Sequence, residues 1–354
     1  MEKYRVIDAD AHFWEPDSIW ARYLEPRYLP MAPQWVTDSQ GRPRMLVGGK
    51  LRRFAPGPPD SFEKMGRGAR DAKSRLADMD REGIEVMVNY PSNGIWIFGV
   101  DDIKVMAALC RALNNWVHDY CSANPGRLLS PAVLPQLDVV ESMAELKRAV
   151  NELHVKAALL RPNPVGGRNL DDPAFERLWS LMEELDVTLV LHEGTTQDVP
   201  EIGPDRFDNY LYAHMCSHSF EQQMALMCLI CGGVLERHPK LRVMQVEAGC
   251  GWIPYWLDRM DHHMHSWGHA SIKLKHKPSD YFKRQCFVSA DGEERMIPEV
   301  IKLMGDDNLC FSTDYPHPDH PFDGVVAELA DRADISDGSK RKILGENAAR
   351  AFHI

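Results

Sequence analysis

Two imidazoles and two carboxylates, on Asp10, His12, His192 and Asp314, are the side chains of this sequence best suited to gripping a cation. Asp10-x-His12 comes directly off the first apolar run, and a two-residue spacing sends both side chains to the same side of an extended backbone. His192 closes VTLVLH, and Asp314 closes NLCFSTD. Each has an ordinary structural alternative: a D-x-H triplet can tie down a loop, a lone His can be a satisfied core residue, and an Asp can cap a turn. Independent caps, however, have no need to coincide at three strand ends. A mixed nitrogen and oxygen set suits a divalent ion such as zinc, manganese or iron. Such an ion lowers the pKa of a bound water, and Asp314 lies where it could accept the proton.

Further residues could join this chemistry. His218, in HMCSHSFEQQMALM, is expected at the start of a helix on the same catalytic face, and His214, four residues earlier, could share its helical face. Glu247, in Glu247-Ala-Gly after the sixth strand, could hydrogen-bond a ligand or, with His218, complete a site for a second ion. The guanidinium of Arg161, after KAALLRPNP, could hold a substrate carboxylate with paired hydrogen bonds, or form a structural salt bridge. His317 in DYPHPD could orient Asp314 or contact substrate, and Glu15 in FWEP could support the first-strand pair. The run His262, His263 and His265 reads as a solvated helix end, and Cys228-x-x-Cys231 as two core thiols.

These residues need a scaffold that brings distant strand ends together. Eight short apolar runs alternate with helical patterns: 4–8, 84–89, 128–134, 155–160, 187–191, 241–246, 286–289 and 309–312. Segments such as PAFERLWSLMEEL and VVESMAELKRAVNEL repeat apolar residues at helical spacing, and Asp172 before Pro173 reads as a helix start. The pattern predicts an α/β fold, a (β/α)8 TIM barrel in one domain spanning 1–354, because no Gly-rich phosphate loop follows the first strand as an open dinucleotide-binding sheet would require. Residues 17–80, rich in Pro, Gly and aromatics, predict a cap-like insertion over the catalytic face.

Composition narrows the partners. A formal charge of -11 without a dominant basic cluster argues against nucleic acid. The longest apolar stretch, Met224 to Leu235, is too short to cross a bilayer, so no membrane partner is expected. Scattered cysteines and an amino terminus without a continuous apolar segment lead to an expected cytoplasmic location.

The segments VIDADAHFWEP, DDPAFERLWSLMEELDVTLVLHEG, ERHPKLRVMQVEAGCGWIPYWLDRMD and FSTDYPHPD together resemble the amidohydrolase-related family of the amidohydrolase superfamily, the aminocarboxymuconate-semialdehyde decarboxylase-like hydrolases and decarboxylases. The resemblance implies that Asp10 and His12 match the first-strand metal pair, His192 the fifth-strand ligand, and Asp314 the eighth-strand ligand and proton carrier. Many decarboxylase members carry a His in an H-x-G motif where this chain has Glu247-Ala-Gly, a departure that removes an imidazolium donor.

The expected function is therefore metal-dependent hydrolysis or nonoxidative decarboxylation of a small carboxylated molecule, aromatic or not, with one or two ions per chain. Two alternatives are an oxygenase with paired iron or manganese ions, and a noncatalytic barrel serving as a partner subunit. A homo-oligomer, or assembly with a related subunit, is also expected.

Overall fold

A computed structural model describes residues 4–52, 67–194, 199–268, 272–317 and 322–354. Among them the strands are, in chain order, β1 (Ile7–Phe13), β2 (Gln34–Thr37), β3 (Pro43–Val47), β4 (Lys50–Leu51), β5 (Val86–Pro91), β6 (Leu128–Leu129), β7 (Ala132–Val133), β8 (Ala157–Leu160), β9 (Thr188–Leu191), β10 (Val243–Gln245), β11 (Cys286–Asp291) and β12 (Leu309–Ser312). β1, β5 and β6 pair in parallel, and β7 through β12 pair in parallel in chain order. β6 and β7 are two halves of one strand, broken at Ser130 and Pro131, because proline has no N–H for the ladder. The cylinder closes where Asp314 N donates to Asp10 O at 2.9 Å and His12 N donates to Tyr315 O at 2.6 Å. The result is the closed (β/α)8 barrel that the alternating pattern predicts.

Strands of a barrel are covered on both faces, which is why they read as continuous apolar runs rather than alternating ones. All seven residues of β1 are buried. Outside the cylinder, the helix Glu176–Glu184 turns Leu178, Trp179, Leu181 and Met182 inward, as the apolar spacing requires. Asp172 accepts from Ala174 N at 2.8 Å ahead of Pro173, the expected helix start.

The first strand differs from its predicted bounds. It runs Ile7–Phe13 rather than 4–8, so Asp10 and His12 lie within it and not beyond it. Hydrogen bonds from the segment after β12 extend the ladder, and a register shift against β5 falls between Asp8 and Ala11. Bulges of this kind re-aim side chains beside sites. Buried Asp8 fastens the closure: its Oδ1 accepts from Asp10 N at 3.0 Å and Thr313 N at 3.2 Å, and its Oδ2 from Thr313 Oγ1 at 2.6 Å. Asp8→Ala is expected to cost about 3 kcal/mol of stability by stranding these donors, measured by urea unfolding. A loss within a few tenths of a kcal/mol would mean that closure does not depend on this carboxylate.

The insertion is more ordered than its Pro- and Gly-rich sequence suggests. It contains a helix, Ser18–Tyr23, and an antiparallel sheet, β2–β3–β4. Met45 and Val47 of β3 are buried, and Tyr23 Oη donates to Asp119 on the helix Ile103–Cys121 at 2.5 Å. The helix Ala72–Glu82 is the regular crossover into β5, so the expected 17–80 segment includes one barrel element. FAPGPPDSF lies outside the described residues. Among those described, no helix is long and apolar enough to cross a membrane; Met224 to Leu235 falls mostly within the barrel helix Tyr210–Cys231. Cys228 and Cys231 are free thiols there, and burial pushes them up to about 12 and about 11, respectively.

Candidate metal centre

Asp10 and His12 project from β1, His192 directly follows β9, and Asp314 follows β12, so the barrel delivers all four to one rim. His12 Nε2 lies 3.2 Å from His192 Nε2, 3.3 Å from Asp314 Oδ1 and 3.8 Å from Asp10 Oδ1. His192 Nε2 lies 3.9 Å from Asp10 Oδ1 and 3.0 Å from Glu247 Oε2. Atoms bound to one ion at about 2.0–2.2 Å sit roughly 3–3.5 Å apart across a tetrahedron, and most of these spacings fall in or near that window. Ligand-capable atoms of Asp10, His12 and His192 lie within 4.8 Å of one another, as do those of His12, Asp314 and His317.

Hydrogen bonding leaves the inward atoms available. His192 Nδ1 donates to the Glu193 carbonyl, so its Nε2 presents a lone pair inward. Asp10 divides its work: Oδ2 accepts from Glu247 N at 2.9 Å, while Oδ1 is buried with no hydrogen-bond partner. An orphaned carboxylate oxygen facing two ring nitrogens fits a cation between them. The electrostatics agree. Burial, reinforced by Glu247, Asp314, Asp8 and Asp291, raises the Asp10 carboxyl well above the usual range; burial, with His317 and His192, pushes His12 well below its own. A divalent ion reverses the first effect and uses the neutral imidazole that the second provides.

Glu247 and Asp314 share a backbone feature, left-handed φ values of 55° and 51°. Such conformations cost of order 1–3 kcal/mol and persist where surrounding bonds impose them. Here Glu247 N is held by Asp10 Oδ2 and, at 3.1 Å, by Ser289 Oγ, and Asp314 N by the Asp10 carbonyl. Ser289 was not anticipated from sequence, although its place near the end of β11 is a position where barrels put functional residues.

His218 does not begin a helix: it lies in the third turn of Tyr210–Cys231, because the helix starts at the Asn209 cap. Its Nε2 reaches Glu247 Oε1 at 3.4 Å. His214 joins the pair, with ring centroids 4.1 Å apart. Burial opposes ionisation of Glu247, yet the imidazoles of His192 and His218 hold its carboxyl well below the usual range. His317 Nδ1 donates to Asp314 Oδ1 at 2.7 Å, an orienting contact. Glu15 accepts instead from the backbone of Asn93 and Gly94, at 2.9 and 3.1 Å. His262, His263 and His265 are exposed on the helix Ile253–Trp267.

Arg161 is fully buried, with Nη2 2.6 Å from Glu193 Oε2 and Nε donating to Asn163 Oδ1 at 3.0 Å. Arg161→Met is expected to lower the unfolding free energy by about 3–5 kcal/mol, since it strands Glu193 without a cation. Unchanged stability with a raised KM would mark Arg161 as a substrate ligand.

The amidohydrolase family model matches residues 7–354. Gamma-resorcylate decarboxylase from Rhizobium radiobacter is 27% identical over 340 residues, covering 91% of this chain and 95% of that one. 2-Amino-3-carboxymuconate-6-semialdehyde decarboxylase from Dictyostelium discoideum is 25% identical over 310 residues, covering 86% and 80%. Among solved structures, 5-carboxyvanillate decarboxylase from Novosphingobium aromaticivorans, with bound manganese and 3-methoxy-4-hydroxy-5-nitrobenzoic acid, superposes with a TM-score of 0.74 at 22% identity, covering 100% of this chain and 98% of that one. A barrel whose strand ends bring together residues able to hold a metal, matched by the family from β1 to the last residue, belongs to the amidohydrolase family of enzymes.

Proposed function

We propose that the chain is a metal-dependent nonoxidative decarboxylase of a small, single-ring hydroxyaryl carboxylate. The observation that carries this reading is the meeting of Asp10, His12 and His192 at one buried point, with Asp314 Oδ1 3.3 Å from His12 Nε2 and Asp10 Oδ1 left unpartnered. The relatives named for decarboxylation support the reaction class. The adjoining cleft, about 210 Å³ and lined by Asp10, His218, Ser219, Glu247, Ser289 and Asp314 among others, is smaller than the roughly 300–1,000 Å³ that suits drug-sized ligands.

Asp10, His12, His192 and Asp314 would hold a divalent ion, which would supply positive charge to substrate oxygens. Asp314, in its protonated form, delivers a proton to the ring carbon that bears the carboxylate. The C–C bond then breaks, its electron pair restores the aromatic ring, and CO2 leaves. His317 keeps the Asp314 carboxyl aimed through its Nδ1–H. Asp314 regains a proton from solvent.

One observation favours a second reading within the same site. Glu247 stands where many decarboxylases have an imidazole, and a carboxylate there cannot donate as an imidazolium does, which suits hydrolysis or hydration. The oxygenase and noncatalytic alternatives draw no support from the relatives. Manganese-loaded protein assayed against ortho-hydroxybenzoates is expected to release CO2 in a reaction abolished by chelation and restored by Mn2+. Hydrolysis of amides or esters without CO2 release would replace the first reading with the second.

A further inference from the structure

We propose that the rim holds a second divalent cation, bound by His214, His218 and Glu247, with the Glu247 carboxylate shared between the two ions. The proposal rests on the reading that Asp10, His12, His192 and Asp314 hold the first. Glu247 directs its two oxygens to different imidazole sets: Oε2 lies 3.0 Å from His192 Nε2 and 3.8 Å from His12 Nε2, while Oε1 lies 3.4 Å from His218 Nε2. Carboxylates oriented in this way bridge metal pairs.

The spacing of the second set also suits ligands of one ion. A charged hydrogen bond between imidazole and carboxylate closes to about 2.7–2.9 Å, whereas 3.4 Å matches the roughly 3–3.5 Å edge between two ligands of one ion. Ligand-capable atoms of His214, His218 and Glu247 lie within 4.8 Å of one another. His214 and His218 are one helical turn apart on Tyr210–Cys231, with rings tilted by only 30°, so both sit on the face that meets Glu247. His218 Nδ1 lies 3.2 Å from the His214 carbonyl; donating there, it leaves the Nε2 lone pair for Glu247 Oε1 and an ion beside it. The left-handed backbone of Glu247, held by Asp10 Oδ2 and Ser289 Oγ, fixes the direction of the bridge. Asp10 and Asp314 of the first set line the same cleft as His214, His218 and Glu247, so two cations would meet two oxygens of one substrate, such as a carboxylate and an adjacent hydroxyl.

The test uses Mn2+ itself. Metal-free full-length protein is reconstituted with MnCl2, desalted, and examined by elemental analysis and electron paramagnetic resonance. About two manganese ions per chain and the multiline spectrum of an exchange-coupled pair are expected. His214→Ala and His218→Gln, each with a wild-type circular dichroism spectrum, should retain about one ion and show the six-line signal of isolated Mn2+. One ion with a six-line signal in the wild type would overturn the second site while leaving the first intact. Binding of no manganese would remove both. Should either variant misfold, anomalous diffraction at the manganese edge from wild-type crystals decides the matter: two peaks flanking Glu247 support the bridge, and one peak overturns it.

Discussion

His192→Ala is expected to lose its metal, with affinity falling by more than 100-fold. Removing a residue that merely orients a ligand typically costs 10–100-fold, and His192 is placed as a ligand itself, its Nε2 facing His12, Asp10 and Glu247. Elemental analysis after desalting, together with competition against a chromophoric chelator, measures the change. The ring also packs beside Tyr90 at 5.3 Å between centroids, so circular dichroism must accompany the measurement to separate lost ligation from lost structure. His262→Ala, on an exposed helical face, provides the matched control and should bind metal as the wild type does. Wild-type metal content in folded His192→Ala would exclude His192 from the coordination set.

Asp314→Asn is expected to reduce kcat by about 10³-fold or more while leaving the fold in place. General acid–base groups contribute roughly 10²–10⁴-fold, and the amide can neither give nor accept the transferred proton. Structure should survive for specific reasons. The replacement has nearly the same shape, its Oδ1 can still accept from His317 Nδ1, and Asn tolerates the left-handed backbone that Asp314 adopts at φ 51°. The closure bond from residue 314 N to the Asp10 carbonyl involves backbone alone. The expected signature is a collapse of kcat with little change in thermal midpoint. Undiminished turnover would take the proton-carrying role away from Asp314.

The two experiments separate ligation from proton transfer, which a single loss-of-activity variant cannot do. His192→Ala reads out on metal content, whereas Asp314→Asn reads out on kcat. An Asp314→Asn protein that kept its metal but lost turnover would support the proton-carrying role of Asp314, whereas loss of the metal would assign the effect to ligation.

By itself the sequence determined the barrel and the four principal candidates of its rim. Parallel strands covered on both faces must be continuous apolar runs, and their C-terminal ends are where the chain leaves the core, so Asp10, His12, His192 and Asp314 are visible as polar residues at or just beyond such runs. Helix starts such as Asp172 are equally visible, because a cap acts over two or three residues. Tertiary structure alone decided the remainder. The burial of Arg161 against Glu193, the use of one Asp10 oxygen to hold Glu247 while the other faces the two imidazoles, and the meeting of His214 and His218 with Glu247 all join residues distant in the chain. Spacing along a chain fixes which face a side chain occupies; which partner stands opposite is set only when the cylinder closes.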